Sequence, residues 1–353
     1  MGPPATTPGN DTQAAARRGA FAPEPRPLDA GAGASYLPAM AFALVHHPDY
    51  VVSLPPGHSF PMDKYGMLML ALADLGTVFD TYVPEPAPLE WIEAVHDPAY
   101  VAAVVGQRLT RDQERRIGFP VDARMVRRSL LAIGGTYLAG RIALDRGFCA
   151  NTAGGSHHAL PDGGAGYCVF NDLAVAGARL LAEGRVRRIA YVDLDVHQGD
   201  GTATIFAGRE DAVTLSLHAA KNFPVRKAQS TRDVALADGV DDQAYLDVLA
   251  AELPAFLDAH RPELVFYQAG VDAHADDRLG RLSLSDDGLV RRDRAVVAAC
   301  RARGIPLAST LGGGYGVDRA AVALRHARSI DALGNAAAGA ADRVGAGAAG
   351  RGF

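Results

Sequence analysis

The middle of this chain carries short runs of continuous apolar residues set roughly a helix apart. They fall at 42–45, 189–194, 213–217, 264–268 and 305–311, with a weaker run near Phe148. A strand that is apolar on every residue has to be covered on both faces, and a parallel sheet with crossover helices is the arrangement that does so. The segments between the runs read as those helices, at 64–75, 123–145, 171–183, 243–260, 286–303 and 318–333. The expected fold is therefore α/β, a single domain with a central, mainly parallel sheet flanked by helices.

The ends differ from this pattern. Residues 1–35 are rich in Ala, Pro, Gly and Thr, and 334–353 are mostly Ala and Gly. Neither has the bulky apolar groups that offset the entropy of ordering, so both are expected to be disordered tails around a catalytic domain at 36–333. Arg17-Arg18 is not followed by an apolar stretch, which speaks against a secretory or twin-arginine signal and for a cytoplasmic location. No run reaches the ~18 to 20 apolar residues of a membrane helix. The formal charge of −5 argues against nucleic acid as a partner. Cys149, Cys168 and Cys300 are odd in number and lack metal-type spacing, so neither a disulfide scaffold nor a cysteine-zinc site is expected.

Most of the apolar runs lead into residues that are costly to bury unless they act together. After Phe148 comes 151–156 and then His157-His158. The run at 189–194 leads into Asp193, Asp195, His197 and Asp200, and that at 213–217 into Ser216-Leu217-His218. The run at 264–268 leads to Asp272 and His274, and the last to Gly312-Gly313-Gly314-Tyr315-Gly316. In open parallel sheets ligands bind just beyond the carboxyl ends of the strands.

Asp193, Asp195 and His197 are in phase in an extended chain and share one face. Carboxylates clustered at an apolar strand end are disfavoured by desolvation. A divalent cation removes that objection, and Asp195, His197 and Asp272 make an Asp/His/Asp set with coordination positions to spare. A purely hydrogen-bonded structural network is the alternative. His157-His158, after Gly154-Gly155-Ser156, suit acid/base work near neutral pH, with Asp193 and Asp200 as spare carboxylates to orient them. The glycines before Tyr315 let backbone approach a substrate closely. Its phenol can then hydrogen-bond a developing oxyanion.

These residues resemble the zinc-dependent histone deacetylase family, within the arginase/deacetylase fold. The matching segments are 155–159, 166–172, 193–202, 216–218, 270–277 and 312–315. Residues 57–65 and 277–283 look most similar to bacterial class IV-like members. The resemblance implies zinc, with Fe(II) able to take its place, held by Asp195, His197 and Asp272. It implies His158 as the general base toward water and later the acid toward the leaving amine, with His157 its electrostatic partner. Asp193 would orient His157, Asp200 would orient His158, and Tyr315 would donate to the substrate carbonyl. A structural potassium ion would sit among Asp193, Asp195, His197, Ser216 and Leu217. Gly166, Tyr167 and Gly313 match substrate-binding positions of the narrow acyl-lysine channel. Phe223 is either its opposite wall or a core residue.

The implied substrates are an acyl-lysine protein or a small acylated amine. Class I relatives hold the peptide backbone with a rim Asp, and none stands in 115–120 here. An acetylpolyamine amidohydrolase would share every catalytic residue and differ at the rim, but no long rim insertion is evident. A two-manganese ureohydrolase needs a carboxylate two past His197, where Gly199 stands. A silent metal-binding relative would be expected to have lost one of the six key side chains. His274 is left without a role, at the pocket mouth or as a spectator.

Overall fold

The computed structural model describes residues 41–339 and Gly2. The tail expected at 1–35 lies outside the described residues apart from Gly2, as does 340–353. In chain order the elements are β1 (Phe42–Val45), α1 (Lys64–Asp74), β2 (Phe79–Tyr82), α2 (Leu89–Glu93), α3 (Pro98–Val105), α4 (Arg111–Ile117), α5 (Ala123–Arg146), β3 (Phe148–Asn151), α6 (Asp172–Ala182), β4 (Ile189–Asp193), α7 (Asp200–Ile205), β5 (Ala212–Ala219), β6 (Arg232–Leu236), α8 (Asp242–His260), β7 (Leu264–Gln268), α9 (Asp286–Arg301), β8 (Leu307–Thr310) and α10 (Arg319–Ala338).

The strands form one eight-stranded sheet in the order β2-β1-β3-β8-β7-β4-β5-β6, and every pairing is parallel. Alternate residues of each strand serve opposite faces. Leu44, Ala150, Val192, Leu215 and Val265 join one core with Leu68, Leu72, Leu253, Val296 and Leu333 from α1, α8, α9 and α10. Ala43, Cys149, Tyr191, Phe266 and Ala308 join the other, with Ala139, Ala143, Ala176 and Leu180 from α5 and α6. Gly140 lets α5 approach closely, because a Cβ there would lie 2.8 Å from the Phe266 ring.

The six expected apolar runs are all strands, and the six expected helices all form, with ends shifted by a few residues. Asn171 and Asp318, counted as helical, are instead N-caps: their side chains accept from Ala174 N and from Ala320 N and Ala321 N. β2 and β6 were not anticipated. They are the two edge strands, only partly buried, and so lack the continuous apolar signal of the interior. The expected domain end at 333 needs correction, since α10 continues to Ala338. Three alanines favour the extra turn, and Gly334 lies so close to Phe42 that a Cβ would come within 2.1 Å of its ring. Among the described residues, no helix is long and apolar enough to cross a membrane.

Candidate active site

In the strand order, β3 and β4 follow one another in sequence but are separated by β8 and β7. The carboxyl ends of these four strands and of β5 lie together at the centre of one sheet edge, and the polar residues gather there. Asp195, His197 and Asp272 each present a ligand atom, all within 4.8 Å of one another, and all three are buried. His197 Nδ1 lies 3.0 Å from Asp195 Oδ1 and 3.1 Å from Asp272 Oδ2.

Backbone donors fix the two carboxylates. Gly313 N–H donates to Asp195 Oδ2 at 2.8 Å, His197 N–H to Asp195 Oδ1 at 3.0 Å, and Val196 N–H to Asp272 Oδ1 at 2.9 Å. Glycines keep space around the remaining oxygens. A Cβ on Gly313 would come within 1.9 Å of Asp272 Oδ2, and one on Gly270 within 2.3 Å of Asp195 Oδ2.

Two buried carboxylates this close repel, and the protonation of the trio reflects it. Burial and the Asp195 charge push Asp272 up to about 7. Burial opposes charge on His197, but its bonds to Asp195 and Asp272 outweigh that and raise it to about 10. The trio thus draws positive charge to its centre, and its donor set of two carboxylate oxygens and one imidazole nitrogen fits a divalent cation such as Zn2+ or Fe2+.

The histidine pair stands beside the trio, with ring centroids 4.1 Å apart. His157 Nδ1 and Asp193 Oδ2 are 2.7 Å apart, as are His158 Nδ1 and Asp200 Oδ1. His157 Nε2 is 3.8 Å from Asp195 Oδ1. Burial disfavours charge on His157, but Asp193 and Asp195 prevail and hold it at about 9. On His158, burial and the neighbouring His157 win over Asp200 and push it down to about 4. At neutral pH the first ring is charged and the second neutral. Gly199, the position that a second-metal carboxylate would need, abuts this pair: a Cβ there would lie 2.2 Å from Asp193 Oδ2.

Tyr315 follows β8 and faces the trio, its ring 6.4 Å from that of His197. Burial and the charges of Asp195 and Asp272 raise its phenol well above the ordinary value, so it remains a donor. Tyr167 lies 5.6 Å from the Tyr315 ring and 6.1 Å from that of Phe119, nearly parallel to the latter. Its backbone is in the left-handed region (φ 65°), a strained setting for a bulky residue and one found disproportionately at functional sites. Gly166, also left-handed, abuts His158: a Cβ there would meet the ring at 2.6 Å. The Phe223 ring meets His158 edge-on at 4.8 Å while the residue is 44% exposed, so it is not a core residue. A cleft lined by Phe60, Tyr167, Tyr315, His157, Asp195 and Gly313 reaches this centre. Beneath it Asp193 on β4 and Ser216 on β5 are register partners, with Leu217 next along the strand.

Some supports carried no role in the sequence reading. Buried Asp172 accepts from Ser156 N–H at 2.6 Å and Gly155 N–H at 3.1 Å, holding the turn before the histidines. Asn171 Nδ2 donates to Thr202 Oγ1 at 3.0 Å, pinning the next turn to α7. An acidic residue opening an apolar helix was the available signal. Buried Arg292 donates to Gly270 O at 2.6 Å and Leu194 O at 3.3 Å, beside both ligand-bearing segments. His274 is buried, with Nε2 3.2 Å from Asp286 Oδ1 and Nδ1 accepting from Asp276 N–H, which ties it to α9.

A family model described as "Histone deacetylase domain" matches residues 58–330. An uncharacterized protein of Picosynechococcus sp. is 45% identical over 289 residues, which is 81% of this chain and 96% of that protein. Histone deacetylase 2 of Arabidopsis thaliana is 28% identical over 293 residues, 79% of this chain and 76% of its own. Among solved structures, the HD domain of HDA15 matches with a TM-score of 0.70 at 21% identity, over 84% of this chain and 89% of that one. An acetylpolyamine aminohydrolase from Burkholderia pseudomallei matches with 0.69 at 20% identity, over 83% and 99%. At those identities the two structures speak for the fold alone, which agrees with the parallel sheet flanked by helices.

Proposed function

The chain belongs to the histone deacetylase domain family of metal-dependent hydrolases, and from that premise we propose that it removes acetyl or other acyl groups from lysine side chains. The observation that carries this reading is the pair of buried histidines, each held at 2.7 Å by its own carboxylate, beside a buried Asp/His/Asp trio. Asp195, His197 and Asp272 would hold zinc or Fe(II), which when bound polarises a carbonyl and lowers the pKa of water.

The protein's own groups do the rest. With its Nδ1–H donated to Asp200, neutral His158 presents Nε2 as the base that takes a proton from the attacking water. The same nitrogen then returns that proton to the departing amine. His157, charged and held by Asp193, offsets the negative charge that builds on the acyl carbon's oxygens. The Tyr315 phenol, kept protonated, donates to the former carbonyl oxygen. Tyr167, Gly166 and Phe223 would flank the alkyl stem of the substrate, with Gly313 at the floor. By the family resemblance a structural potassium ion would sit among Asp193, Asp195, His197, Ser216 and Leu217.

Exposed Arg115 and Arg116 stand in the stretch where class I relatives place a rim aspartate, and with no long rim insertion evident the reading favours acyl-lysine over an acetylpolyamine. The test is hydrolysis of a fluorogenic acetyl-lysine peptide, beside acetylated putrescine and a longer-chain acyl-lysine, with metal content determined on the same sample. Turnover of acyl-lysine that a hydroxamate chelator abolishes is the expected result. Turnover of the polyamine alone would move the substrate to that class, and silence on all three with a full metal site would leave an unusual acyl group or a binding protein.

A further inference from the structure

Tyr315 sits in Gly312-Gly313-Gly314-Tyr315-Gly316, a stretch outside helix and strand. Gly312 and Gly313 are tied to Gly154, Asp195 and Val271, but glycine leaves the backbone free to turn beyond them. The restraint on the Tyr315 peptide itself comes from another loop. Asp277 Oδ2 accepts from Tyr315 N–H at 2.6 Å, and Arg278 Nε donates to Tyr315 O at 2.8 Å. Two consecutive residues thereby grip both polar groups of one residue's backbone.

Each half of the grip is itself anchored. The other Asp277 oxygen accepts from Leu279 N–H at 2.8 Å and Gly280 N–H at 3.0 Å, closing a tight turn. Gly280 rests on the backbone of Asp272, where a Cβ would come within 2.0 Å of the Asp272 carbonyl oxygen. Arg278 Nη2 reaches Ser59 O at 3.4 Å, and Ser59 Oγ lies 3.2 Å from the Tyr167 hydroxyl. The turn thus links the backbone of Asp272, the Tyr315 peptide and the rim that carries Tyr167.

We propose that Asp277 and Arg278 are positioning residues that clamp the Tyr315 peptide so that its phenol is aimed before substrate arrives. The proposal rests on the catalytic role given to Tyr315 above. It predicts an effect on kcat exerted through Tyr315, with substrate and metal binding untouched. Arg278 is exposed, so replacing it opens no core.

The test is a double-mutant cycle on the metal-loaded, full-length enzyme with an acyl-lysine substrate. Arg278→Ala and Asp277→Asn should each lower kcat on the order of 10- to 100-fold with KM and metal content unchanged, the range that a displaced catalytic group costs. Arg278→Lys, able to reach one carbonyl but not both, should fall between. In a Tyr315→Phe background the same changes should cost nothing further. A full additional loss there, or a change in KM alone, would overturn the clamp. Hydrogen exchange read by mass spectrometry gives a second readout without turnover: amides at 313–316 should exchange faster in Arg278→Ala and Asp277→Asn. Unchanged exchange overturns the clamp whatever the activity. If Tyr315→Phe alone leaves turnover intact, the catalytic reading falls and exchange by itself decides the clamp.

Discussion

His157 and His158 stand ring to ring at 4.1 Å, the first charged and the second neutral at pH 7. The charges of Asp193 and Asp195 favour the proton on His157. Burial and that added charge deny one to His158. Two identical side chains are thereby set apart by what each one faces, as the proposed division into a base and its electrostatic partner requires.

His158→Ala and Tyr315→Phe should each lower kcat by about 10²- to 10⁴-fold, the usual worth of a positioned acid/base or oxyanion donor. Metal content should stay near one per chain in both. Steady-state kinetics with elemental analysis of the same preparations checks this, and metal loss in Tyr315→Phe contradicts the role assigned to the phenol.

Gly313→Ala should behave in the opposite way, because its Cβ would intrude on Asp272 Oδ2 and Asp195 Oδ2. Metal affinity, measured by competition with a chromogenic chelator, should weaken by about 10- to 100-fold. Asp272→Ala should lose the metal altogether. A Gly313→Ala protein that binds metal as tightly as the parent would show that the close approach of Gly313 is incidental.

Acid should destabilise the protein through His96. Its Nε2 accepts from Asn171 N–H at 2.9 Å and its Nδ1 faces Leu160 O at 2.9 Å, a geometry that only the neutral ring satisfies. Burial lowers it to about 4. Between that value and about 6.5, where the ring titrates in the unfolded chain, the unfolded state binds a proton that the native state does not. The stabilisation is therefore complete above pH 6.5 and lost as pH falls toward 4, by roughly a few kcal/mol at the bottom of the window. Urea unfolding of the parent and of His96→Gln across this range should show a flatter profile for the variant. Parallel profiles would clear His96.

The three thiols should be inert in the native state. Cys149, Cys168 and Cys300 are all buried and free, and burial raises each, Cys300 up to about 12. Thiolate is the reactive form. At pH 8 Ellman's reagent should titrate almost none of them until denaturant is added, and then all three. Rapid reaction of one in the folded protein would place it at the surface.

The interior of the sheet and the chemistry at its edge were legible because both leave unmistakable residues. A run such as Leu264–Gln268 has no use except between two covered faces, and Asp193, Asp195 and His197 could not end an apolar strand without working together. The edge strands were not legible. Arg232–Leu236 opens on two charged residues and buries only Leu236, and its register with Leu215–Ala219 is what makes it a strand. The supports of the site were hidden for a different reason. Asp172 acts on the turn before the histidines, Arg292 on Gly270 and Leu194, and Arg278 on Tyr315. Each works through backbone groups of a distant segment, and backbone groups leave no mark in a sequence.

The sheet order also governs when this protein can become itself. β3 and β4 emerge in succession, yet what lies between them is β7 and β8, and β8 is complete only at Thr310. A nascent chain must hold the His157-His158 segment and the Asp195-His197 segment apart, with a gap two strands wide, until the last strand arrives. Pairings of such sequence separation form slowly and leave apolar edges open meanwhile. The metal trio can draw together once β7 joins β4, but the histidine pair and Tyr315 reach it only when β8 closes the middle. On the proposed roles, the metal-binding trio can therefore form before the catalytic arrangement around it is complete.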